Sequence, residues 1–158
     1  MSFRVRGLDP LQFTHLYGLP DPDLARFGAR RHTVTAKPGF PDRVELRDLE
    51  IGETAILLNF EHQPAETAYR SRHAIFVKEG ATEPADLLNV LPEVIRVRPI
   101  SLRAFNDAGE MLDADLVDGA DLVPLIERFF EQREVAYLHA HYAKRGCFAA
   151  LITRSGSD

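Results

Sequence analysis

The 158-residue chain has no tryptophan, two methionines and one cysteine, Cys147. With a single thiol there is no intrachain disulfide and no Cys-x-x-Cys pair for a metal or for redox exchange. A lone thiol suits a reducing cytoplasm. No run approaches the roughly 18–20 apolar residues of a membrane-spanning helix. Met1-Ser2-Phe3-Arg4-Val5-Arg6 lacks the apolar stretch of a secretory signal. The expected location is the cytoplasm, with no membrane partner. Gly-x-Gly-x-x-Gly, the P-loop, His-Glu-x-x-His and Gly-x-Ser-x-Gly are all absent, so no standard phosphate cradle, zincin site or hydrolase elbow is encoded and no cofactor is named. An excess of basic residues is missing too. Nineteen Lys+Arg against 24 Asp+Glu give a net charge of −5, and aromatics do not interleave with cations as on a base-stacking platform. Nucleic acid is not an expected partner.

What is present is globular texture: 45% hydrophobic and 27% charged residues, at a length usual for one domain. We expect a single domain over residues 1–154 with a frayed tail at 155–158. Asp9-Pro10 and Asp21-Pro22 each open a short helix, with proline at the first helical position. Strands are expected at Phe3–Leu8, Arg31–Ala36, Val44–Leu46, Thr54–Glu61 and Arg72–Lys78, and the near-continuous apolar run of Thr54–Glu61 predicts a central position. Glu83-Pro84 starts a short helix through Leu87, Leu88 and Leu91 that Pro92 ends. Val97–Phe105 and Met111–Val117 flank a hairpin turn at Asn106–Glu110, with Pro99 marking an edge or bulge. Leu122, Leu125, Ile126, Phe129 and Phe130 make one stripe of a long helix over Asp121–Arg133. Val135–Tyr142 and Cys147–Thr153 form a last hairpin. The fold class is α+β: one antiparallel or mixed sheet of five to seven strands, with one long helix in the C-terminal half and several short ones packed on it.

Polar chemistry gathers in two blocks near strand ends, where sites usually sit. The first is Asn59-Phe60-Glu61-His62-Gln63-Pro64-Ala65 with Tyr69-Arg70-Ser71-Arg72-His73; the second is His139-Ala140-His141-Tyr142-Ala143-Lys144-Arg145-Gly146-Cys147-Phe148. On a strand, His139 and His141 project from one face, their Cα atoms about 6.5–7 Å apart. Two imidazoles so placed can share a metal, with His62, His73, Glu61 or Cys147 as further ligands, yet no third ligand has metal-site spacing from them, and no metal site is assigned. One of them can instead act as base for Cys147, which follows a glycine at a turn. Arg70, Arg72 and Lys144-Arg145 can grip a carboxylate or phosphate, Arg by its bidentate fork. Each has a plainer use: two side chains on a half-solvated sheet face, a small buried hydrophobe, surface ion pairs with Glu61 or Glu66.

The blocks Lys37-Pro38-Gly39-Phe40-Pro41, Leu57–Pro64, Tyr69–Val77 and Lys144–Ala150 resemble an uncharacterised bacterial family, a domain of unknown function of about 155 residues, over essentially the whole chain. The resemblance implies a single domain and a bacterial source and supplies no activity. It also implies that members often carry a cysteine after the Pro-Gly-aromatic-Pro block. Asp42 stands there in this chain, which puts a two-cysteine mechanism in doubt.

Two functions of different class follow. In the first, a small-molecule-binding protein or enzyme, His139 and His141 are acid/base groups and Cys147 a nucleophile. His62, Tyr69, Arg70, Arg72 and His73 then hold an anionic small molecule. In the second, a non-catalytic interaction module, the chain is a homodimer burying a sheet edge or an apolar face.

Overall fold

The computed structural model describes residues 2–156. Nine strands form two separate sheets in which every neighbouring pair is antiparallel. The smaller sheet has the order β2-β3-β4, from Arg30–Thr33, Thr54–Gln63 and Ser71–Lys78. The larger has the order β5-β1-β9-β8-β6-β7, from Asp86–Leu88, Phe3–Arg6, Cys147–Arg154, Tyr137–Tyr142, Pro99–Phe105 and Met111–Asp118. Three short helices accompany them: α1 (Asp21–Arg26), α2 (Glu93–Arg96) and α3 (Leu122–Phe130). The architecture is α+β, with sheet predominating.

Local chemistry explains most of these elements. The β6–β7 turn closes because the Asn106 side-chain oxygen accepts the N–H groups of Ala108 and Glu110, with Gly109 supplying the positive φ of 81°. The β8–β9 turn closes with the Gly146 N–H on the Tyr142 carbonyl at 2.8 Å. The apolar run of β3 is flanked on both sides, by β2 and β4. In α3 the five stripe residues Leu122, Leu125, Ile126, Phe129 and Phe130 are all buried. They pack with Ile100, Leu102 and Leu138 of the large sheet, each such side chain stabilising the fold by about 1.5–3 kcal/mol. A second core holds Phe13, Leu16 and Leu24 against Ile56, Ile75 and Val77 of the small sheet.

Several expectations need correction. There are two sheets rather than one. The long helix is nine residues after a short 3-10 turn at Gly119–Asp121, because Arg154 reaches over from β9 and takes the carbonyls of Phe130, Gln132 and Val135. The segment expected as a helix around Leu87 is instead strand β5, added to the edge of β1. Pro92 starts α2 as its N-cap instead of ending a helix. Val44–Leu46 is irregular and Pro99 opens an interior strand, paired by β7 and β8. Of the tail 155–158, Ser155 donates its N–H to the Ser2 carbonyl, while 157 and 158 lie outside the described residues.

The segment 41–48 is the joint between the sheets. Its Arg43 N–H donates to Phe76 of β4, its Arg43 carbonyl accepts from Leu8, and its Val44 carbonyl accepts from Ala85. Asp42, fully buried, accepts the backbone N–H groups of Glu45 and Lys78.

Candidate functional site

Side chains alternate along β8. Leu138, Ala140 and Tyr142 join the core that includes α3, and Tyr137, His139 and His141 turn the other way, onto the end of β3. There His62 meets them. Its ring centroid lies 4.9 Å from that of His141 and 6.2 Å from that of His139, and the latter two are 6.3 Å apart. Phe148, opposite His141 in the β8–β9 register, walls the group at 5.1–5.8 Å from each ring.

The His141 Nδ1 lies 2.8 Å from the Gly146 carbonyl, so Nδ1 carries the proton and Nε2 is left as an acceptor. That Nε2, the His62 Nδ1 and the His139 Nδ1 are buried without hydrogen-bond partners among the described residues. Burial pushes His139 and His141 down to about 3 and His62 to about 4, with the Arg103 guanidinium adding to the effect in each case. The cluster is therefore uncharged at neutral pH. Among the described residues no three acidic, imidazole or thiol groups are arranged to hold a metal ion.

Near the β8–β9 turn, between β4 of the small sheet and the ends of β6 and β8 of the large one, lies a cavity of about 690 Å³. Phe40 and Phe76, ring centroids 5.0 Å apart, line it together with Pro38, Pro41 and Ile75. Four of its lining side chains are cations, Arg43, Arg98, Lys144 and Arg145, and none is a carboxylate among the described residues. Lys144 and Arg145 are exposed on the β8–β9 turn. Arg43 is only 2% exposed. It donates to the Phe148 carbonyl at 2.8 Å, the Pro41 carbonyl at 2.6 Å and the Cys147 Sγ at 3.0 Å, and no carboxylate pairs with it among the described residues. Arg98 does have a counterion, Asp48, gripped by both terminal nitrogens at 2.6 and 2.8 Å.

Tyr142 packs against both arginines, its ring centroid 5.0 Å from the Arg43 guanidinium carbon and 5.2 Å from that of Arg98. It is 6% exposed, and its phenolic oxygen has no hydrogen-bond partner. Burial raises this phenol to about 12 against the opposing pull of the two guanidiniums.

The residues singled out from sequence thus divide into three groups. His62, His139 and His141 come together. Cys147, 8% exposed, and His73 line the cavity instead. Cys147 and Tyr142 are register partners on the face opposite His141 and Phe148, and among the described residues no hydrogen bond joins the thiol to an imidazole. Tyr69, Arg70 and Arg72 are exposed outside the cavity. Arg70 pairs with Glu61 at 3.0 Å and Arg72 bonds the Asn59 side chain. Sequence reasoning missed Arg43, Arg98 and the phenol of Tyr142. The available signal for Arg43 was its place two residues after the Lys37–Pro41 block; Arg98 had none.

A family model described as protein of unknown function (DUF1203) matches residues 39–154. The match takes in the joint, the cavity's cations and the histidine cluster. No curated protein and no solved structure matches the chain. With well over half of its length matched, the chain belongs to the DUF1203 family of proteins of unknown function.

Proposed function

We propose that the protein binds an anionic small molecule with a flat apolar body in the cavity between its two sheets. One observation carries this reading: four cationic side chains and, among the described residues, no carboxylate line a cavity whose other walls include three prolines and the rings of Phe40, Phe76 and Tyr142. Its volume is that of pockets which enclose drug-sized ligands, commonly apolar with a few convergent polar groups. On a chain of net charge −5, a local excess of cations in a low-dielectric cleft focuses the field on anions. Lys144 and Arg145 at the exposed turn steer the ligand, Arg43 and Tyr142 receive its charged end, and the rings of Phe40 and Phe76 cover its apolar part.

The reading extends to the setting: a single-domain protein of residues 1–154 in a bacterial cytoplasm, where its one free thiol stays reduced. Among the described residues no helix is long and apolar enough to cross a membrane. The alternative of a homodimer joined at a sheet edge has less behind it. The open edge of β7 carries Asp113, Asp115 and Asp118, and charges on an edge strand oppose strand addition.

The test is thermal stabilisation by 2-naphthoate against its uncharged amide. Naphthoate raises the melting temperature with concentration while naphthamide does not, and Lys144→Ala with Arg145→Ala weakens the response about tenfold or more, near 1.4 kcal/mol. Equal responses to acid and amide, or none to either, overturn the proposal.

A further inference from the structure

We infer that Cys147 is the nucleophile of this cavity, a thiol placed to bond to an electrophilic carbon carried by the anion the cavity holds. The inference rests on the anion-binding reading and adds to it a ligand class: an anion with a displaceable group close to its charged end.

Reactive cysteines sit in electropositive, accessible surroundings, whereas thiols packed among apolar side chains are inert. Cys147 stands at the border of the two: it is 8% exposed and joins the core that includes α3, yet it also faces a cavity and an arginine. Its sulfur lines the cavity and accepts a hydrogen bond from the Arg43 guanidinium at 3.0 Å. A second guanidinium, that of Arg98, lies over the ring of Tyr142, its carbon 5.2 Å from the ring centroid. The other acceptors of Arg43 are neutral carbonyls. A buried cation without an anionic partner is unfavourable, so the cation itself calls for negative charge at this spot.

Tyr142 supplies an independent observation. The residue is 6% exposed and lines the same cavity, and its phenolic oxygen is buried with no hydrogen-bond partner among the described residues. An orphaned buried hydroxyl is costly, and an acceptor on a bound ligand relieves it. Tyr142 and Cys147 are directly opposite each other across the β8–β9 ladder. One ligand therefore reaches both, its anionic oxygens on Tyr142 and the guanidiniums and its reacting carbon at the sulfur.

The step needs no oxidant or reductant. The sulfur attacks the carbon, a carbon–sulfur bond forms, and the bond from that carbon to the leaving group breaks. The leaving group keeps the bonding electrons, and the thiol proton passes to solvent. The three imidazoles face the other side of the ribbon and take no part.

Iodoacetate and iodoacetamide are the probes, and the intact mass of the native protein is the readout. Cys147 is the only cysteine, so any thiol adduct is its own. Both reagents alkylate the native protein, and the iodoacetate-to-iodoacetamide rate ratio exceeds that of glutathione by about tenfold, the equivalent of 1.4 kcal/mol. Naphthoate slows the reaction, and Lys144→Ala with Arg145→Ala lowers the ratio toward that of glutathione. If the native thiol stays unmodified under conditions that fully alkylate the unfolded chain while naphthoate still raises the melting temperature, the nucleophile inference falls alone. If alkylation proceeds at the glutathione ratio and naphthoate neither stabilises nor protects, anion binding falls and the ligand class with it.

Discussion

Arg43 and Cys147, 104 positions apart, meet where the joint segment crosses the start of β9, with the Arg43 Nη2 3.0 Å from the sulfur. The same guanidinium holds the Phe148 and Pro41 carbonyls. One side chain therefore fixes the strand that carries the thiol, the loop that covers the cavity and the charge that faces its ligand. Fold stability and the candidate chemistry are coupled at this point.

Arg43→Met keeps much of the aliphatic stem and removes all three donors, leaving two carbonyls and a sulfur without their partner. Losing those bonds outweighs the relief of an uncompensated buried charge, and the expected loss is about 1–3 kcal/mol, read as a lower urea midpoint at constant slope. A loss below about 1 kcal/mol means that the three bonds contribute little.

Gly7 lies at the end of β1 against the joint. A Cβ placed there is 1.9 Å from the Val44 carbonyl oxygen and 3.1 Å from the Ala85 nitrogen, both backbone atoms held in hydrogen bonds. Neither can yield without parting the joint from the large sheet. Gly7→Ala is expected to destabilise by about 1–3 kcal/mol or more, and thermal melts check it; an unchanged melting temperature contradicts the close approach.

Periodic patterns were legible in the sequence, and contacts between distant segments were not. The α3 stripe, the β3 run and the two C-terminal hairpins depend on neighbours a few residues away, and they stand close to where the spacing puts them. His139 and His141 share a face because a strand alternates, and that too was legible. Arg43 carries no local pattern. Its role comes from a strand more than a hundred residues later, and the early end of α3 is set by Arg154, 24 positions after Phe130. Leu87 could be helix or strand by itself, and the free edge of β1 decided it. Arg70 and Arg72 read as anion ligands by residue type alone, yet both lie outside on β4 and the loop before it.

The histidine cluster predicts acid sensitivity. Unfolded, each imidazole takes up a proton near 6.5; folded, His139 and His141 do so only at about 3 and His62 at about 4. Between those values the unfolded chain binds more protons, so stability is complete above about pH 6.5 and falls as pH drops toward 3. Glu53, held at about 2 by its hydrogen bonds to Arg47, loses its contribution only below its ordinary 4.5. Burial raises Asp42, which works in the opposite direction. The window from 6.5 to 4.5 thus belongs mainly to the imidazoles. His139→Phe keeps an aromatic ring among Phe105, Tyr137 and Phe148 and removes one titration. The melting temperature of this variant should fall less steeply than wild type across that window; parallel curves refute the assignment.

Tyr142→Phe separates stability from binding. The phenolic oxygen is buried without a partner among the described residues, so deleting it removes a desolvation penalty and breaks no hydrogen bond. The ring remains, and with it the contacts to Arg43 and Arg98. The urea midpoint should hold or rise, by up to about 1 kcal/mol. Naphthoate should bind about tenfold more weakly, since the ligand loses a donor in a site that excludes water. A hydroxyl kept only for packing would show neither effect, and one already satisfied within the protein would lower the midpoint. The opposite signs of the two changes therefore identify an oxygen held in reserve for a ligand.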